Sequence, residues 1–299
     1  MTDYGNRDGV IWLDGTLVDW RDARVPFLTH ALHYGSTVFE GIRAYNGHIF
    51  RLDAHCDRLF EGARILGYDI PFTREEIKAA CEQVLAASGG ANAYIRPAAW
   101  RGTEAIGIST KALSVHAGVA AWEWPDYFSL DQKMRGIRLD VARWRRPAPD
   151  MAPTAAKASG LYQICTLAKQ EAEAAGYDDA MMLDYRGYIA EATGANIFLV
   201  IDGALHTPLP DCFLDGITRQ AVIEIARKAG IEVVERHIAP GDLERATEVF
   251  LTGTAAEVTP VASIGTSSFT PGPMTQAMVE GYRVMTRTAE CVEVATVDA

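Results

Sequence analysis

The chain has 299 residues, with 28 Lys and Arg against 39 Asp and Glu and a formal net charge of −11. This acidic balance argues against nucleic-acid binding, and no segment is long and apolar enough to predict a membrane span or a signal peptide. The five cysteines are scattered without a C-x-x-C pair, so we expect a cytoplasmic protein that acts on small molecules and has no disulfide framework or metal site.

The first part of the chain mixes predicted strands and helices. GVIWLDGTLVDW reads as two short strands around an Asp14-Gly15 turn, and STVFEGIRAYNGHIFRL repeats this pattern around Asn46-Gly47. AYIRPAAW and LSVHAGVAAW predict two further strands.

Two helices are predicted between these strands. Asp53 is the expected N-cap of the first helix, which Gly67 closes. Thr73 and Glu76 form a capping box for the second helix, which ends at Gly89. The looser stretch EWPDYFSLDQKMRG then predicts a linker over residues 123–136.

The remainder of the chain is richer in strands. Its predicted elements are a strand in GIRLDVARW, a helix from Gly160 to Ala175 with Leu161, Ile164, Cys165, Leu167 and Ala168 inward, hairpins about Arg186-Gly187 and Asp202-Gly203, a helix from Thr218 to Gly230, a strand in IEVVERHI, two strands in EVFLTGTAAEVTPVASI and a last helix from Met274.

One lysine, Lys157, is surrounded in sequence by small residues, in the segment AAKASG. In a tight, partly apolar pocket, desolvation lowers the pKa of a lysine, and its neutral amine can act as a base or form a Schiff base with an aldehyde cofactor. The alternative is an ordinary loop lysine before a helix. Lys157 alone does not decide between them.

Two further residues suit an aldehyde cofactor with a pyridine ring. Tyr162 lies in the first turn of the helix after Lys157, where its phenol could reach a ring oxygen. Glu191 lies on the return strand of a hairpin and, by strand alternation, shares a face with Ile189 and Thr193. A carboxylate there suits a protonated pyridine nitrogen, although an exposed strand-end glutamate is the alternative.

Other features suit a phosphate group. Arg58 has a planar guanidinium that could bind two phosphate oxygens, or it could be an ordinary surface arginine. Ile217 and Thr218 follow a glycine at a predicted helix N-terminus, where backbone N–H groups can bind an anion. Thr254 adds a hydroxyl in a turn of small residues. Together with the lysine, the phenol and the carboxylate, these features describe a site for pyridoxal phosphate (PLP).

At this level of detail the sequence resembles the fold-type IV PLP enzymes, and within them the branched-chain amino-acid aminotransferases. The segments that carry the resemblance, in family order from about Val10 to Ile264, are HALHYGSTVFEGIRAYNG, HCDRLFEGARILG, AYIRPAAW, AKASGLYQICTLAKQEA, GYIAEATGANIFLV, LDGITRQAV and LTGTAAEVTPV. The resemblance implies an α+β fold with a small α/β domain over residues 1–122, the linker at 123–136 and a larger β-barrel-like domain over 137–299.

The resemblance also implies roles for individual residues. Lys157 would be the catalytic residue and the attachment point of PLP. The other implied cofactor-binding residues are Arg58, Tyr162, Glu191, Ile217, Thr218 and Thr254. The implied substrate-binding residues are Tyr34, Phe39, Arg43, Tyr94, Arg96, Trp124, Thr254, Ala255 and Ala256. The expected assembly is a homodimer or a higher homo-oligomer, with Tyr34 reaching into the partner's pocket.

The implied reaction moves the amino group of leucine, isoleucine or valine to 2-oxoglutarate, which yields 2-oxo acids and L-glutamate. The stretch AAWRGTEAIGIST departs from the glycine-rich segment of many family members, since it carries Arg101 and Glu104. D-amino-acid transaminases, (R)-amine transaminases and aminodeoxychorismate lyases share this fold, so these activities stay open as alternatives.

A zinc hydrolase and a non-catalytic binding protein are the two alternatives from other classes of function. His30 and His33 form an H-x-x-H pair, which on a helix could bind zinc in a metal hydrolase, but the sequence offers no third ligand at a supporting spacing. A binding protein that kept the fold and lost catalysis is the other class. The presence of Lys157, Tyr162 and Glu191 argues against it.

Overall fold

The computed structural model describes residues 3–124 and 130–287. These residues form two compact units. The first contains residues 3–124 together with Ala155–Tyr162, and the second contains residues 130–154 and 163–287. No described helix is long and apolar enough to cross a membrane. The combination of helices with two separate sheets confirms the predicted α+β class.

One segment departs from the predicted domain boundaries. The large domain was expected over residues 137–299, yet the segment that contains Lys157 lies within the first unit. The reason is backbone pairing, since the Phe39 N–H donates to the Lys157 carbonyl at 3.1 Å and Val38 forms an antiparallel bridge with Ala158. These contacts place the lysine segment beside a strand that lies more than a hundred residues earlier in the chain.

The sheet of the first unit is antiparallel throughout. Its strands are β1 (Val10–Leu13), β2 (Thr16–Asp19), β3 (Thr37–Phe39), β4 (Ile42–Tyr45), β5 (His48–Ile49), β6 (Ala93–Arg101) and β7 (Val115–Glu123). They lie in the order β2-β1-β7-β6-β4-β5, and β3 pairs with β6. The predicted turns at Asp14-Gly15 and Asn46-Gly47 are confirmed, and Asp14 and Asn46 have left-handed φ angles of 46° and 51°.

Three helices belong to this unit: α1 (His30–Tyr34), α2 (Leu52–Ile65) and α3 (Arg74–Ser88). The capping box of α3 is confirmed, because the Glu76 N–H donates to Thr73 Oγ1 and the Thr73 N–H donates to a Glu76 carboxylate oxygen. The expected cap of α2 is wrong. Arg51, at φ 50°, is its N-cap, and Asp53 lies in the first turn and forms an ion pair with Lys78 at 2.5 Å.

The core of the first unit lies where α2 and α3 pack on the sheet. Leu59 of α2 and Ile77 and Val84 of α3 are buried with Ile42 of β4 and Ile95 of β6. The apolar positions of both helices therefore face the strands, as their sequence spacing indicated.

The second unit begins within the predicted linker at 123–136, of which residues 125–129 lie outside the described part of the chain. Leu130–Lys133 form the short helix α4. The strands of this unit are β8 (Ile137–Val141), β9 (Asp179–Leu183), β10 (Ile189–Ala192), β11 (Asn196–Ile201), β12 (Ala204–Pro208), β13 (Val233–Arg236), β14 (Glu248–Gly253), β15 (Glu257–Ile264) and β16 (Ser267–Ser268).

Most of these strands close into a small barrel. They are ordered β10-β9-β8-β15-β14-β11-β12-β13, and β10 also pairs with β11, so the strands from β10 to β11 form a closed ring. Leu139, Met181, Ile197, Leu251 and Val261 come from five of the ring strands and belong to one buried cluster. The barrel-like character that the sequence implied is confirmed, and its interior is filled by aliphatic side chains.

The longer helices of this unit are α5 (Tyr162–Ala174), α6 (Ile217–Lys228) and α7 (Pro273–Arg287), and Pro240–Arg245 form a 3-10 segment. The helix predicted from Gly160 begins as a 3-10 turn over Ser159–Leu161 and becomes α-helical at Tyr162. Of the residues predicted to face inward, Leu161, Cys165 and Ala168 are buried, whereas Ile164 and Leu167 are half-buried.

A β-bulge in β10 changes the orientation of one predicted site residue. Ile189 pairs with Leu183, but Glu191 pairs with Met182, so an extra residue lies between them. Ile189 and Ala192 consequently join the barrel core, and Glu191 does not. The prediction that Glu191 shares a face with Ile189 is therefore wrong, because it assumed regular alternation.

Candidate active site

Lys157 of the first unit has its amine beside two aromatic rings. Its Nζ donates a hydrogen bond to Tyr162 Oη at 2.7 Å and lies 5.0 Å from the centroid of the Phe39 ring. Desolvation lowers the pKa of Lys157 below its usual value, and the attraction of the Glu40 carboxylate does not cancel this effect. The amine is therefore easier to deprotonate than that of an exposed lysine.

The small residues around Lys157 allow close backbone packing. Ala156 and Ala158 are buried. A Cβ atom on Gly35 would lie 3.0 Å from the Cα of Gly160, and Gly35 has a left-handed φ of 64°. A side chain at Gly35 would therefore push the two backbones apart.

Arg58, which the sequence predicted to bind phosphate, is paired with the buried carboxylate of Glu40. The sequence did not indicate this role of Glu40. Glu40 is 0% exposed, and its two oxygens accept hydrogen bonds from Arg58 Nε at 2.7 Å and Nη2 at 2.8 Å. His55 Nδ1 lies 2.7 Å from the same carboxylate. Two of the three guanidinium nitrogens thus fix the direction of the Arg58 side chain.

The charges of this cluster follow from burial and from pairing. Burial alone would raise the pKa of Glu40, but the Arg58 guanidinium and the His55 ring outweigh it and hold that pKa well below its usual range. Burial lowers the pKa of His55, against the pull of Glu40. An ionised carboxylate only accepts, so neutral His55 donates its Nδ1 proton to Glu40.

Most of the predicted substrate residues of this unit lie together on the sheet. Arg43 of β4 is paired with Tyr94 of β6, and the Tyr94 ring lies 5.2 Å from the Trp124 ring. The Arg96 guanidinium lies 5.0 Å from the Phe39 ring centroid and donates to Tyr94 Oη at 3.3 Å. These side chains form a cluster of three aromatic rings and two guanidinium groups, which offers both apolar walls and positive charge.

Tyr34 contacts different residues. Its ring lies 4.6 Å from that of His30, and the side chain is about half exposed, beside a surface cavity of about 320 Å³. Neither histidine of the H-x-x-H pair belongs to a group of three potential metal ligands within the described residues. His30 Nδ1 lies 2.9 Å from Ser36 Oγ, and His33 Nε2 lies 3.0 Å from the Phe27 carbonyl.

Another group of potential metal ligands lies in the second unit. Asp184, Asp211 and Cys212 are the one cluster of this kind within residues 3–124 and 130–287. The guanidinium of Arg186 lies 2.7 Å from Asp184 and 2.8 Å from Asp211. A protein cation therefore already balances these carboxylates.

The two residues that depart from the family pattern support the local backbone. Arg101 is buried and donates to the carbonyls of Leu66 and Gly67 at 2.9 and 3.0 Å. Glu104 accepts hydrogen bonds from the backbone N–H and the hydroxyl of Ser114. Arg101 therefore joins the end of β6 to the end of α2, and Glu104 stabilises the connection between β6 and β7.

In the second unit, Glu191 lies outside the barrel core with a cation beside it. Arg146 Nε is 3.2 Å from one Glu191 oxygen, and Asn196 Nδ2 donates to the other at 3.4 Å. The glutamate has no basic neighbour in the sequence, yet the fold brings one from 45 positions earlier. The fold thus places one cation and one amide donor against the carboxylate oxygens.

Asn196 connects Glu191 to the turn before α6, and sequence reasoning missed it. Its Nδ2 also donates to the Leu214 carbonyl at 3.0 Å. A Cβ on Gly216 would lie 2.1 Å from Asn196 Oδ1, so only glycine fits there. The asparagine of EATGAN was the available signal, but nothing in its spacing reveals a contact with a turn some twenty residues later.

The N-terminus of α6 has the form of an anion site. Gly216 is the N-cap and supplies no side-chain hydrogen bond, and Ile217 and Thr218 are both buried. A buried helix start without a side-chain cap leaves its first N–H groups to be satisfied by another acceptor. This is the place where the sequence predicted a phosphate.

The predicted substrate turn lies between β14 and β15. Thr254, Ala255 and Ala256 form a three-residue connection, closed by the pairing of Gly253 with Glu257. Ala255 is exposed, and its neighbours are half-buried. Backbone groups of such a turn, together with the Thr254 hydroxyl, can bind an anionic ligand.

Comparison with known proteins gives a consistent result. The profile of the family described as Amino-transferase class IV matches residues 37–264. A branched-chain-amino-acid aminotransferase of Pseudomonas aeruginosa is 42% identical over 284 residues, which are 93% of this chain and 92% of that protein. The enzyme of the same name from Escherichia coli K12 is 40% identical over 260 residues, or 85% and 84% of the two chains.

Solved structures agree with the sequence matches. The crystal structure of a T.th. branched-chain amino acid aminotransferase with pyridoxamine 5'-phosphate has a TM-score of 0.92 and 40% identity, over 95% of this chain and 96% of that chain. A branched-chain enzyme from Thermoproteus uzoniensis with norvaline has a TM-score of 0.88 and 41% identity, over 93% and 94%.

The Glu40 cluster generates a prediction about stability and pH. Glu40→Gln should lower the free energy of unfolding at pH 7 by about 3–5 kcal/mol, because it removes one partner of a buried charge pair. The depressed pKa means that the stabilisation is complete above the ordinary pKa of 4.5 and is lost as pH falls towards the folded-state value. Urea unfolding of both proteins at pH 7 and pH 4 measures this, and the difference between them should shrink at pH 4.

Glu61→Gln is the matched control, since Glu61 pairs with Arg64 on the exposed side of α2, the helix that carries Arg58. Its stability should stay close to that of the parent, because exposed ion pairs contribute little. If Glu40→Gln were as stable as the parent at pH 7, the buried pair would not support the unit.

Proposed function

Because the chain belongs to the class IV amino-transferase family, we propose that it transfers the amino group of branched-chain L-amino acids to 2-oxoglutarate, giving 2-oxo acids and L-glutamate. The observation that carries this proposal is the Lys157 amine, which hydrogen bonds to Tyr162 at 2.7 Å and has a lowered pKa. Such an amine can bind an aldehyde cofactor and can also carry a proton.

The residues present fit PLP. We propose that Lys157 binds the cofactor covalently and that Tyr162 contacts its phenolic oxygen. The buried, uncapped start of α6 at Ile217 and Thr218 suits the phosphate. Arg58 is our further candidate for the phosphate, since the contact with Glu40 fixes the direction of its guanidinium. We assign the Thr254 hydroxyl to the same group.

Glu191 is our candidate partner for the ring nitrogen. Its carboxylate lies beside Arg146 and Asn196, and a carboxylate anion in contact with the ring nitrogen would favour a proton on that nitrogen. When bound, PLP supplies an electron sink for the negative charge that develops at the substrate α-carbon.

Lys157 then acts as the base. Once the amino group of the donor has displaced it from the cofactor, its Nζ would accept the proton that leaves the substrate α-carbon and would supply the proton that completes the transfer. A lowered pKa helps the first step, because more of the amine is in the neutral form near pH 7. The Tyr162 hydroxyl holds the amine in place between these transfers.

The substrate pocket must accept an apolar side chain and, in the second half of the reaction, a carboxylate. Phe39, Tyr94 and Trp124 supply the apolar walls, and Arg43 and Arg96 supply positive charge beside them. We assign the backbone of the turn at Ala255 and Ala256 to the other carboxylate of the substrate.

We further propose a homodimer in the cytoplasm, with Tyr34 contributing to the partner's pocket. Its half-exposed ring is available to a second chain. The described cysteines, Cys56, Cys81, Cys165 and Cys212, are all buried free thiols, which suits a reducing compartment.

A substrate panel tests the proposed activity. Initial rates with L-leucine, L-isoleucine, L-valine, D-amino acids and (R)-1-phenylethylamine, each with 2-oxoglutarate, should be highest for the three branched-chain L-amino acids. Arg43 and Arg96 lie beside apolar rings, so the pocket can also bind the second carboxylate of glutamate. Higher rates with D-amino acids or the (R)-amine would favour the alternative activities of this fold.

The Lys157→Ala variant should keep its fold and lose the visible absorption band of bound cofactor. Turnover should fall by about 10³-fold or more, because one side chain both binds the cofactor and carries the proton. Lys169→Ala is the control, since Lys169 lies on α5 and binds Glu173 and the Asp178 carbonyl. Near-normal turnover of Lys157→Ala would rule out this role.

The Arg58→Lys variant separates cofactor binding from chemistry. Lysine keeps a positive charge beside Glu40 but loses the planar fork. The loss of one charge-assisted hydrogen bond costs about 2 kcal/mol, so PLP should bind about thirtyfold more weakly, and excess PLP should restore activity. Lys157→Ala should not recover in this way.

Titration of apo protein with PLP measures this difference. Arg64→Lys is the matched control, because Arg64 is on the same helix and pairs with exposed Glu61. An unchanged PLP affinity in Arg58→Lys would place the phosphate elsewhere.

A further inference from the structure

Glu257 has a backbone conformation that its residue type disfavours. It is the first residue of β15, it closes the turn over residues 254–256, and its φ is 54°. A three-residue hairpin connection commonly needs a left-handed residue at its end, and glycine or asparagine usually fills this position. An L-residue with a long side chain is strained there, so some other interaction must favour glutamate.

The interaction is provided by two helices. One Glu257 oxygen accepts a hydrogen bond from Lys133 Nζ at 2.6 Å, and the other accepts one from Arg287 Nη2 at 3.2 Å. Lys133 is the last residue of α4 and Arg287 is the last residue of α7 that the structure describes. The carboxylate is buried, so both contacts are shielded from water.

The residues on either side of Ala255 are also held by contacts. Thr259 Oγ1 donates to the Ala256 carbonyl at 2.7 Å. A Cβ on Gly253 would lie 3.4 Å from the Gly194 carbonyl oxygen, so the other end of the turn passes close to the loop before β11. Only Glu257 links the turn to charged side chains of helices, among the contacts of the described residues.

We infer that Glu257 is a positioning residue, whose two ion pairs hold the turn at Thr254, Ala255 and Ala256 in the shape that receives substrate. This inference rests on the proposed function, which assigns the backbone of that turn to a substrate carboxylate. The strained conformation sets the direction of the turn, and the ion pairs keep it rigid before the substrate arrives.

The ion pair of Lys133 with Glu257 also fixes the end of the predicted linker. Lys133 belongs to the segment that the sequence predicted as a linker, over residues 123–136. The ion pair with Glu257 therefore ties the end of this segment to the substrate turn. A change at Lys133 should affect substrate binding although Lys133 itself lies outside the turn.

The decisive variant is Glu257→Gly. Glycine adopts a φ of 54° without strain, so the fold should be retained, while both ion pairs are lost. With saturating PLP, KM for the amino donor should rise about tenfold and kcat should change less, because a turn that the ion pairs no longer hold in place binds the substrate carboxylate more weakly. Lys133→Met removes one pair only and should give a smaller rise.

A second measurement does not depend on activity. Hydrogen exchange of the apo protein should show faster exchange at residues 254–256 in Glu257→Gly than in the parent. Because it needs neither cofactor nor substrate, it reports on the turn even if the proposed reaction is wrong.

Asp202→Gly is the matched control. Asp202 also has a left-handed φ, of 52°, and its carboxylate also binds an arginine, Arg245, but it lies exposed in the β11–β12 hairpin. Its replacement should change neither KM nor exchange at residues 254–256.

The outcomes separate the possibilities. A parent protein that does not transaminate would overturn the proposed function and leave the exchange test in force. A parent that transaminates, together with a Glu257→Gly variant of unchanged KM and unchanged exchange, would show that Glu257 only stabilises the hairpin. A raised KM in Asp202→Gly as well would show a general effect on the unit and would also overturn the inference.

Discussion

The backbone pairing of Glu191 with Asn196 is the contact on which the second unit depends. It joins β10 to β11 and closes the barrel ring. The same pairing places the two side chains together, where Asn196 contacts both the Glu191 carboxylate and the turn before α6. Barrel closure and the assembly of this part of the candidate site are therefore one structural event, because paired residues in an antiparallel ladder project to the same face.

The bulge between Ile189 and Glu191 makes this arrangement possible. Without it, the side chain of Glu191 would project into a barrel core filled by aliphatic residues. An ionised carboxylate there would be strongly disfavoured by desolvation. The extra residue turns Glu191 outward, where Arg146 balances its charge. Bulges commonly redirect a functional side chain in this way.

The first unit also contains a buried carboxylate that is balanced by a cation. Glu40 is fully buried, and it holds Arg58 and His55 in fixed directions near the Lys157 amine. Its negative charge opposes the desolvation of Lys157, while the Arg58 charge adds to it. The state of the amine is thus set by a balance among buried charges, and the pKa of Lys157 is lowered because desolvation is the largest contribution.

Local sequence determined the features of this protein that depend on neighbouring residues. The Asp14-Gly15 and Asn46-Gly47 turns and the cap at Thr73 follow from the conformations that those residues favour. The small residues around Lys157 indicated a constrained amine in the same manner, and the lowered pKa agrees with this. The family segments indicated which residues form the proposed cofactor and substrate sites.

Tertiary structure decided every contact between charges that lie far apart in the sequence. The pairing of Arg58 with Glu40, of Glu191 with Arg146 and of Glu257 with its two helices depends on strand register and on how helices pack. A single extra residue in β10 reversed one predicted face, and backbone pairing moved the Lys157 segment to the first unit. Local propensity carries no information on such pairings, because their free energy arises only when distant segments meet in the folded chain.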